Sequence, residues 1–194
     1  MKAYRFYLLS SVAWSVGGLL VGIALCGLPL PGRAVAAEAK PNEAKPAIVK
    51  GISYLPEDGR SADDYAREMC RLDLYRPEGS GKGFPTVVYY HGGGLTAGER
   101  SVPTKLTNRG WVVVGVGYRL HPKVNHPVYI EDAAAALAWT FKNIESYGGD
   151  PRKIFVTGIS AGGYLTAMVG LDKTYLAKHG IDADRIAGLI PVTG

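Results

Sequence analysis

The sequence predicts an α/β fold, a mostly parallel sheet with helices on both faces. Three observations lead there. Short continuous apolar runs recur through the chain, among them Thr86–Tyr90, Trp111–Val116 and Ile186–Val192. Segments of helical character stand between them, and Gly or Pro punctuates the joints. Strands that are apolar on both faces belong to sheets buried from both sides, and parallel neighbours need crossover segments to connect them.

Residues 37–47 (Ala, Glu, Lys, Pro and Asn) have no apolar period and read as a polar linker, so the folded domain is expected over 48–194. Ile48–Tyr54 is a plausible first strand. Cys70–Tyr75 alternates with period two, and Pro77-Glu78-Gly79 ends it. The turn-forming Pro56-Glu57-Asp58-Gly59 between them suggests a pair of edge strands of mixed orientation. Thr86–Tyr90 is a buried strand, helical residues are expected around Lys105–Arg109, and Trp111–Val116 is the next strand. Ile130, Ala134, Leu137, Phe141 and Ile144 recur every three or four residues, which predicts the clearest helix of the chain. Gly148-Gly149-Asp150-Pro151 stops it. A strand then starts at Lys153, a small-residue helix carries Ala161, Leu165, Met168 and Val169, and Asp182–Arg185 leads into the last strand.

The first 36 residues read differently. Lys2 and Arg5 precede an uncharged stretch from Phe6 to Gly32, and Ala34-Val35-Ala36 offers a small-residue cleavage site. That is the pattern of a secretory signal peptide, so export to the periplasm or outside is expected. The apolar part is long, and a membrane anchor over residues 6–30 is the alternative. Removing residues 1–36 takes away three basic residues and no acid, lowering the formal charge from +5 to +2. No basic run is then left to suggest nucleic acid or a membrane surface. Only Cys70 remains of the two cysteines, so no intramolecular disulfide and no cysteine-based metal site is expected. Nothing in the sequence specifies an oligomeric state.

Two stretches carry chemistry. Lys153–Ile159 runs into Ser160-Ala161-Gly162-Gly163, which places Gly158-Ile159-Ser160-Ala161-Gly162 between a strand and a helix. This is the G-x-S-x-G nucleophile elbow in its required setting. Side chains at Gly158 and Gly162 would collide where strand and helix close on each other, and the turn lifts Ser160 to a helix N-terminus. The plainer reading is a glycine-rich turn whose serine caps the helix. Upstream, Thr86–Tyr90 leads into His91-Gly92-Gly93-Gly94. Consecutive glycines leave backbone N–H groups bare, suited to an oxyanion, a phosphate or merely a turn. The Walker pattern is absent, and the elbow downstream favours the oxyanion.

Together His91–Gly94, Gly117-Tyr118-Arg119-Leu120, Glu131–Ala136 and Gly158–Gly163 resemble the α/β-hydrolase fold, in the hormone-sensitive-lipase-like and feruloyl-esterase-like carboxylesterases. The resemblance runs from about residue 48 onward. It implies Ser160 as catalytic nucleophile and the N–H groups of Gly93, Gly94 and Ala161 as oxyanion hole. His91, Gly92, Gly158 and Gly162 support the motifs. The substrate it implies is a small-molecule ester, with no metal and no cofactor; an amidase or peptidase of the same geometry, or a non-catalytic binding protein, are the alternatives. Arg119 and Asp132 read as a structural ion pair, and His121 and His126 as loop residues near the rim.

In this fold the acid and the histidine follow the serine in the chain. After Ser160 only Asp172, Asp182, Asp184 and His179 are available, all before the last strand. The expectation is therefore a fragment lacking the last strands and the catalytic Asp and His, with an open apolar edge at 186–192.

Overall fold

The computed structural model describes residues 47–55, 63–78 and 81–193. The leader over residues 1–36, nearly all of the linker and the turn at 56–59 lie outside the described residues. No helix among the described residues is long and apolar enough to cross a membrane.

Among the described residues six strands form one sheet: β1 Ala47–Ser53, β2 Arg71–Arg76, β3 Phe84–Tyr90, β4 Val112–Val116, β5 Gly149–Ile159 and β6 Gly188–Val192. Their spatial order is β1-β2-β4-β3-β5-β6. β3 is parallel to β4 and β5, and β5 to β6, whereas β2 is antiparallel to both β1 and β4. The expectation of two edge strands is therefore half corrected. β1 is an edge, but β2 lies inside the sheet, because its Leu72 and Leu74 are fully buried and need cover on both sides.

Four α-helices among the described residues accompany the sheet: α1 Asp64–Met69, α2 Val128–Asn143, α3 Ala161–Leu171 and α4 Lys173–Ala177. The short α1 shows no period in the sequence, yet Asp63 caps it, its carboxylate accepting from Ala66 N at 2.7 Å. The helix expected at Lys105–Arg109 is a correction. Only a 3₁₀ turn forms there, Thr104–Leu106, which presents no buried residue. Pro103 before it and Gly110 after it leave no length over which an apolar stripe could develop.

One core joins Leu72, Val88, Tyr90, Val114 and Val156 of the sheet to Ile130 and Leu137 of α2 and Leu165 of α3. Around Val113 and Gly115 the sheet is covered by the segment at Arg100–Val102. A Cβ on Gly115 would overlap the Arg100 carbonyl and stand 2.9 Å from Val102 Cγ1. This packing aligns the C-terminal ends of β3, β4 and β5 in register: Tyr90 stands beside Val116 on one side and Gly158 on the other. The His91 loop, the Tyr118 segment and Ser160 consequently leave the sheet side by side.

Candidate active site

Ser160 occupies the turn between β5 and α3 with φ 54° and ψ −119°. A non-glycine residue there carries about 1–3 kcal/mol of backbone strain, which surrounding contacts must hold in place. Two hydrogen bonds do so: Ser160 N donates to Val192 O of β6 (2.9 Å), and Tyr164 N donates to Ser160 O (3.0 Å). The hydroxyl makes no capping bond to α3. Its side chain is exposed and unengaged among the described residues, unlike a serine whose task is to cap a helix.

The glycines of this motif are required by close approach. A Cβ on Gly158 would overlap Gly162 O, and one on Gly162 would overlap Tyr90 O and stand 2.7 Å from His91 O. Both obstacles are backbone atoms, which cannot rotate away. α3 thus rests its first turn on the end of β3 as well as on β5.

The glycine loop lies against the same turn. A Cβ on Gly92 would be 3.0 Å from Ile159 O and 3.6 Å from Ser160 Cβ. Gly93, Gly94 and Leu95 all have positive φ, at 116°, 62° and 62°. Gly93 O accepts from Thr96 N (3.1 Å) and Ala97 N (3.0 Å), which closes the loop. The N–H groups of Gly93 and Gly94 donate to no acceptor among the described residues. As the first residue of α3, Ala161 has no intrahelical acceptor for its N–H either. Three bare donors on two adjoining backbone turns flank a free hydroxyl, an arrangement suited to a carbonyl oxygen that gains charge.

His91 faces away from this task. It is buried, its Nδ1–H donates to Gly92 O (2.7 Å), and its ring stacks on Tyr118 with centroids 4.2 Å apart and planes 10° from parallel. Burial lowers its proton affinity, with smaller opposing effects from Gly92 O and Glu99. Its Nε2 has no hydrogen-bond partner among the described residues. The cleft that His91 lines, about 430 Å³ and bordered by Lys50, Asp73, Glu99 and Arg100, does not include Ser160.

The remaining polar residues singled out from the sequence are engaged elsewhere. Arg119 and Asp132 form a bidentate pair, Nη2 to Oδ1 at 2.7 Å and Nε to Oδ2 at 2.9 Å, and the same carboxylate accepts from Arg119 N. This ties the end of β4 to α2. Asp172 caps α4 through Thr174, Asp182 caps a second 3₁₀ turn, Ala183–Arg185, through Asp184 N, and Asp184 pairs with Lys173. His179 is half-buried beyond α4, its proton affinity lowered by burial and then by Lys142 and Lys178. His121 meets Asn125 (3.2 Å), and His126 packs edge-on against Tyr129. None of these imidazoles or carboxylates is hydrogen-bonded to Ser160 among the described residues. No cluster of His, Cys, Asp or Glu there is arranged to hold a metal ion.

Tyr118 was legible only as part of a motif. Its contact with His91 follows from strand register, because pairing Tyr90 with Val116 brings the residues just beyond both strands together.

The chain is 35% identical over 116 residues to esterase LipC of Mycobacterium tuberculosis, covering 55% of this chain and 29% of LipC. It is 40% identical over 101 residues to carboxylesterase NlhH of the same species, covering 50% of this chain and 32% of NlhH. The chain thus spans about a third of the length of these curated relatives. Among solved structures, esterase B from Lactobacillus rhamnosis, inhibited by a tributyrin phosphonate, superimposes with a TM-score of 0.60 at 28% identity, covering 81% of this chain and 50% of that one. A truncated carbohydrate esterase from gut microbiota shares the fold at 22% identity, with a TM-score of 0.57, covering 70% of this chain and 47% of that one. The BD-FAE family model matches residues 72–185, from β2 through the glycine loop and the elbow. With that match spanning more than half of the sequence, the chain belongs to the BD-FAE family of esterase-like α/β-hydrolases.

Proposed function

We propose that this chain carries the nucleophile and the oxyanion hole of an exported serine carboxylesterase. The observation that carries the reading is Ser160 itself, held at φ 54° with a hydroxyl that caps nothing, in a turn that lies against the glycine loop. Ser160 Oγ attacks the carbonyl carbon of a small-molecule ester and passes its proton to a base. The tetrahedral oxyanion takes hydrogen bonds from the N–H groups of Gly93, Gly94 and Ala161, each worth about 3–4 kcal/mol at the transition state. Collapse expels the alcohol, which takes up the proton, and water then releases the acid from the acyl-enzyme. No metal or cofactor is called on.

The base in this reading is an imidazole oriented by a carboxylate, supplied from outside the residues described around Ser160. Two features support this. The acids that follow Ser160 are engaged elsewhere, and the one histidine that follows it, His179, is half-buried beyond α4. Exposed apolar side chains (Ile159, Tyr164, Leu171, Ile190 and Val192) gather around the elbow and β6. Without its base a serine enzyme retains about 10³–10⁴ of rate over water, from oxyanion hole and binding alone. Export rests on the Lys2/Arg5 and Ala34-Val35-Ala36 pattern of the first 36 residues.

The test is fluorophosphonate labelling of this chain and of the longest product of its gene, each with a Ser160→Ala control. Labelling of the long product, abolished by the substitution, is the expected outcome. If neither labels, the pocket belongs to a binding protein, a reading favoured by the lack of any imidazole on Ser160 among the described residues. Matched ester and amide substrates then separate an esterase from an amidase of the same geometry.

A further inference from the structure

The peptide between His91 and Gly92 joins the end of β3 to the two oxyanion donors of the glycine loop. Beyond it the chain enters three consecutive residues of positive φ, and the donors themselves have no acceptor among the described residues. The Gly93 carbonyl holds the loop from the far side, through Thr96 N and Ala97 N, and this peptide holds it from the side of β3.

Three contacts converge on it. Tyr118, fully buried at the end of β4, donates its O–H to His91 O at 2.8 Å. His91 donates Nδ1–H to Gly92 O at 2.7 Å, so the carbonyls on both sides of Gly92 N are pinned. Gly98 closes the far side, where a Cβ would overlap the His91 ring and stand 2.5 Å from Gly92 O. The stacked Tyr118 ring also fixes the plane of the imidazole and thereby the direction of its Nδ1–H. The His91 carbonyl meets α3 as well, being 2.7 Å from the place a Gly162 Cβ would take. One phenol thus touches the oxyanion loop at the atom where that loop meets the nucleophile helix.

We propose that Tyr118 is a positioning residue of the oxyanion hole: its hydroxyl, acting through the His91 carbonyl and ring, sets the Gly93 and Gly94 N–H groups against Ser160. This rests on the esterase reading only for the use made of those donors; the positioning itself is a property of the folded chain. A hydrogen bond to a buried carbonyl that can find no other donor is retained at a definite geometry, and catalytic donors lose effect steeply when displaced.

The test compares wild type with Tyr118→Phe, which keeps the stacked ring and removes the hydroxyl, and with Tyr118→Leu, which removes both. Backbone ¹⁵N relaxation is measured on the full chain, alongside melting temperature and fluorophosphonate labelling of the longest gene product. In Tyr118→Phe the order parameters of Gly93 and Gly94 are expected to fall from rigid values near about 0.85 to below about 0.6. Those of α2 and of Gly162–Gly163 stay where they are, and the labelling rate drops about tenfold without change in the reagent concentration that gives half-maximal rate. A role confined to stability would lower the melting temperature and leave Gly93 and Gly94 ordered. That result in Tyr118→Phe overturns the assignment, and because the variant is nearly isosteric it answers even if Tyr118→Leu does not fold. Loss of order at Gly93 and Gly94 together with no labelling of the wild type leaves the positioning role standing and refutes the esterase reading instead.

Discussion

Gly162→Ala puts one of the closest glycine approaches among the described residues to the test. Gly162 lies in the first turn of α3 with helical backbone, so alanine brings no φ penalty and contributes about 1 kcal/mol of helix propensity. Against this, the new methyl group would overlap Tyr90 O and stand 2.7 Å from both Tyr90 C and His91 O. Overpacking of a filled site costs about 1–3 kcal/mol, and the upper end applies where the obstacle is backbone of a central strand. The net loss is about 2 kcal/mol, a fall in melting temperature of about 4–8 °C for a chain of this size. Relief comes only by sliding α3 off the end of β3, which carries Ser160 away from Gly93 and Gly94. Thermal unfolding and fluorophosphonate labelling are therefore expected to fall together. Gly180→Ala is the control, since Gly180 has φ 71° and nothing within 4 Å, so that only the left-handed backbone cost of about 1–2 kcal/mol applies. A Gly162→Ala variant as stable and as reactive as wild type would show that the elbow is not packed as described.

Three further predictions concern the supports of the site. Arg119→Met strands the buried Asp132 carboxylate and is expected to destabilise by about 3 kcal/mol, with part of the loss recovered in Arg119→Met/Asp132→Leu; a urea double-mutant cycle that shows no coupling contradicts this. His91 binds a proton less readily folded than unfolded, because burial disfavours the imidazolium. Stability should therefore decline as pH falls below about 6.5, where the unfolded imidazole takes up the proton. Urea midpoints between about pH 7.5 and 5 should slope less in His91→Gln, and parallel slopes would refute the assignment. The Cys70 thiol is fully buried and pushed up to about 12, chiefly by burial and then by Asp132. In a Cys26→Ala background it should resist a thiol reagent near pH 8 until the chain unfolds globally, and prompt stoichiometric reaction of native protein would contradict that.

What could be read before folding was whatever depends on neighbours in sequence. The valines of 112–116, the 3–4 spacing from Ile130 to Ile144 and the glycines flanking Ser160 declare strand, helix and elbow locally, since backbone hydrogen bonding and side-chain period act over a few residues. The segment at 105–109 was misread because helix-compatible residues say nothing of how few of them stand between Pro103 and Gly110. The six-residue α1 was missed because it is too short to show a period.

The sequence by itself determined the identity of the nucleophile motif, the glycine loop and the α/β alternation. Those are chemical facts of residue type and spacing. Only the tertiary structure decided that β2 lies inside the sheet, that Asp172, Asp182 and Asp184 are occupied with caps and a lysine, and that Tyr118 grips His91. Strand order and register bring residues 27 positions apart into hydrogen-bond contact, and that closeness is a property of the packed sheet that no local pattern encodes.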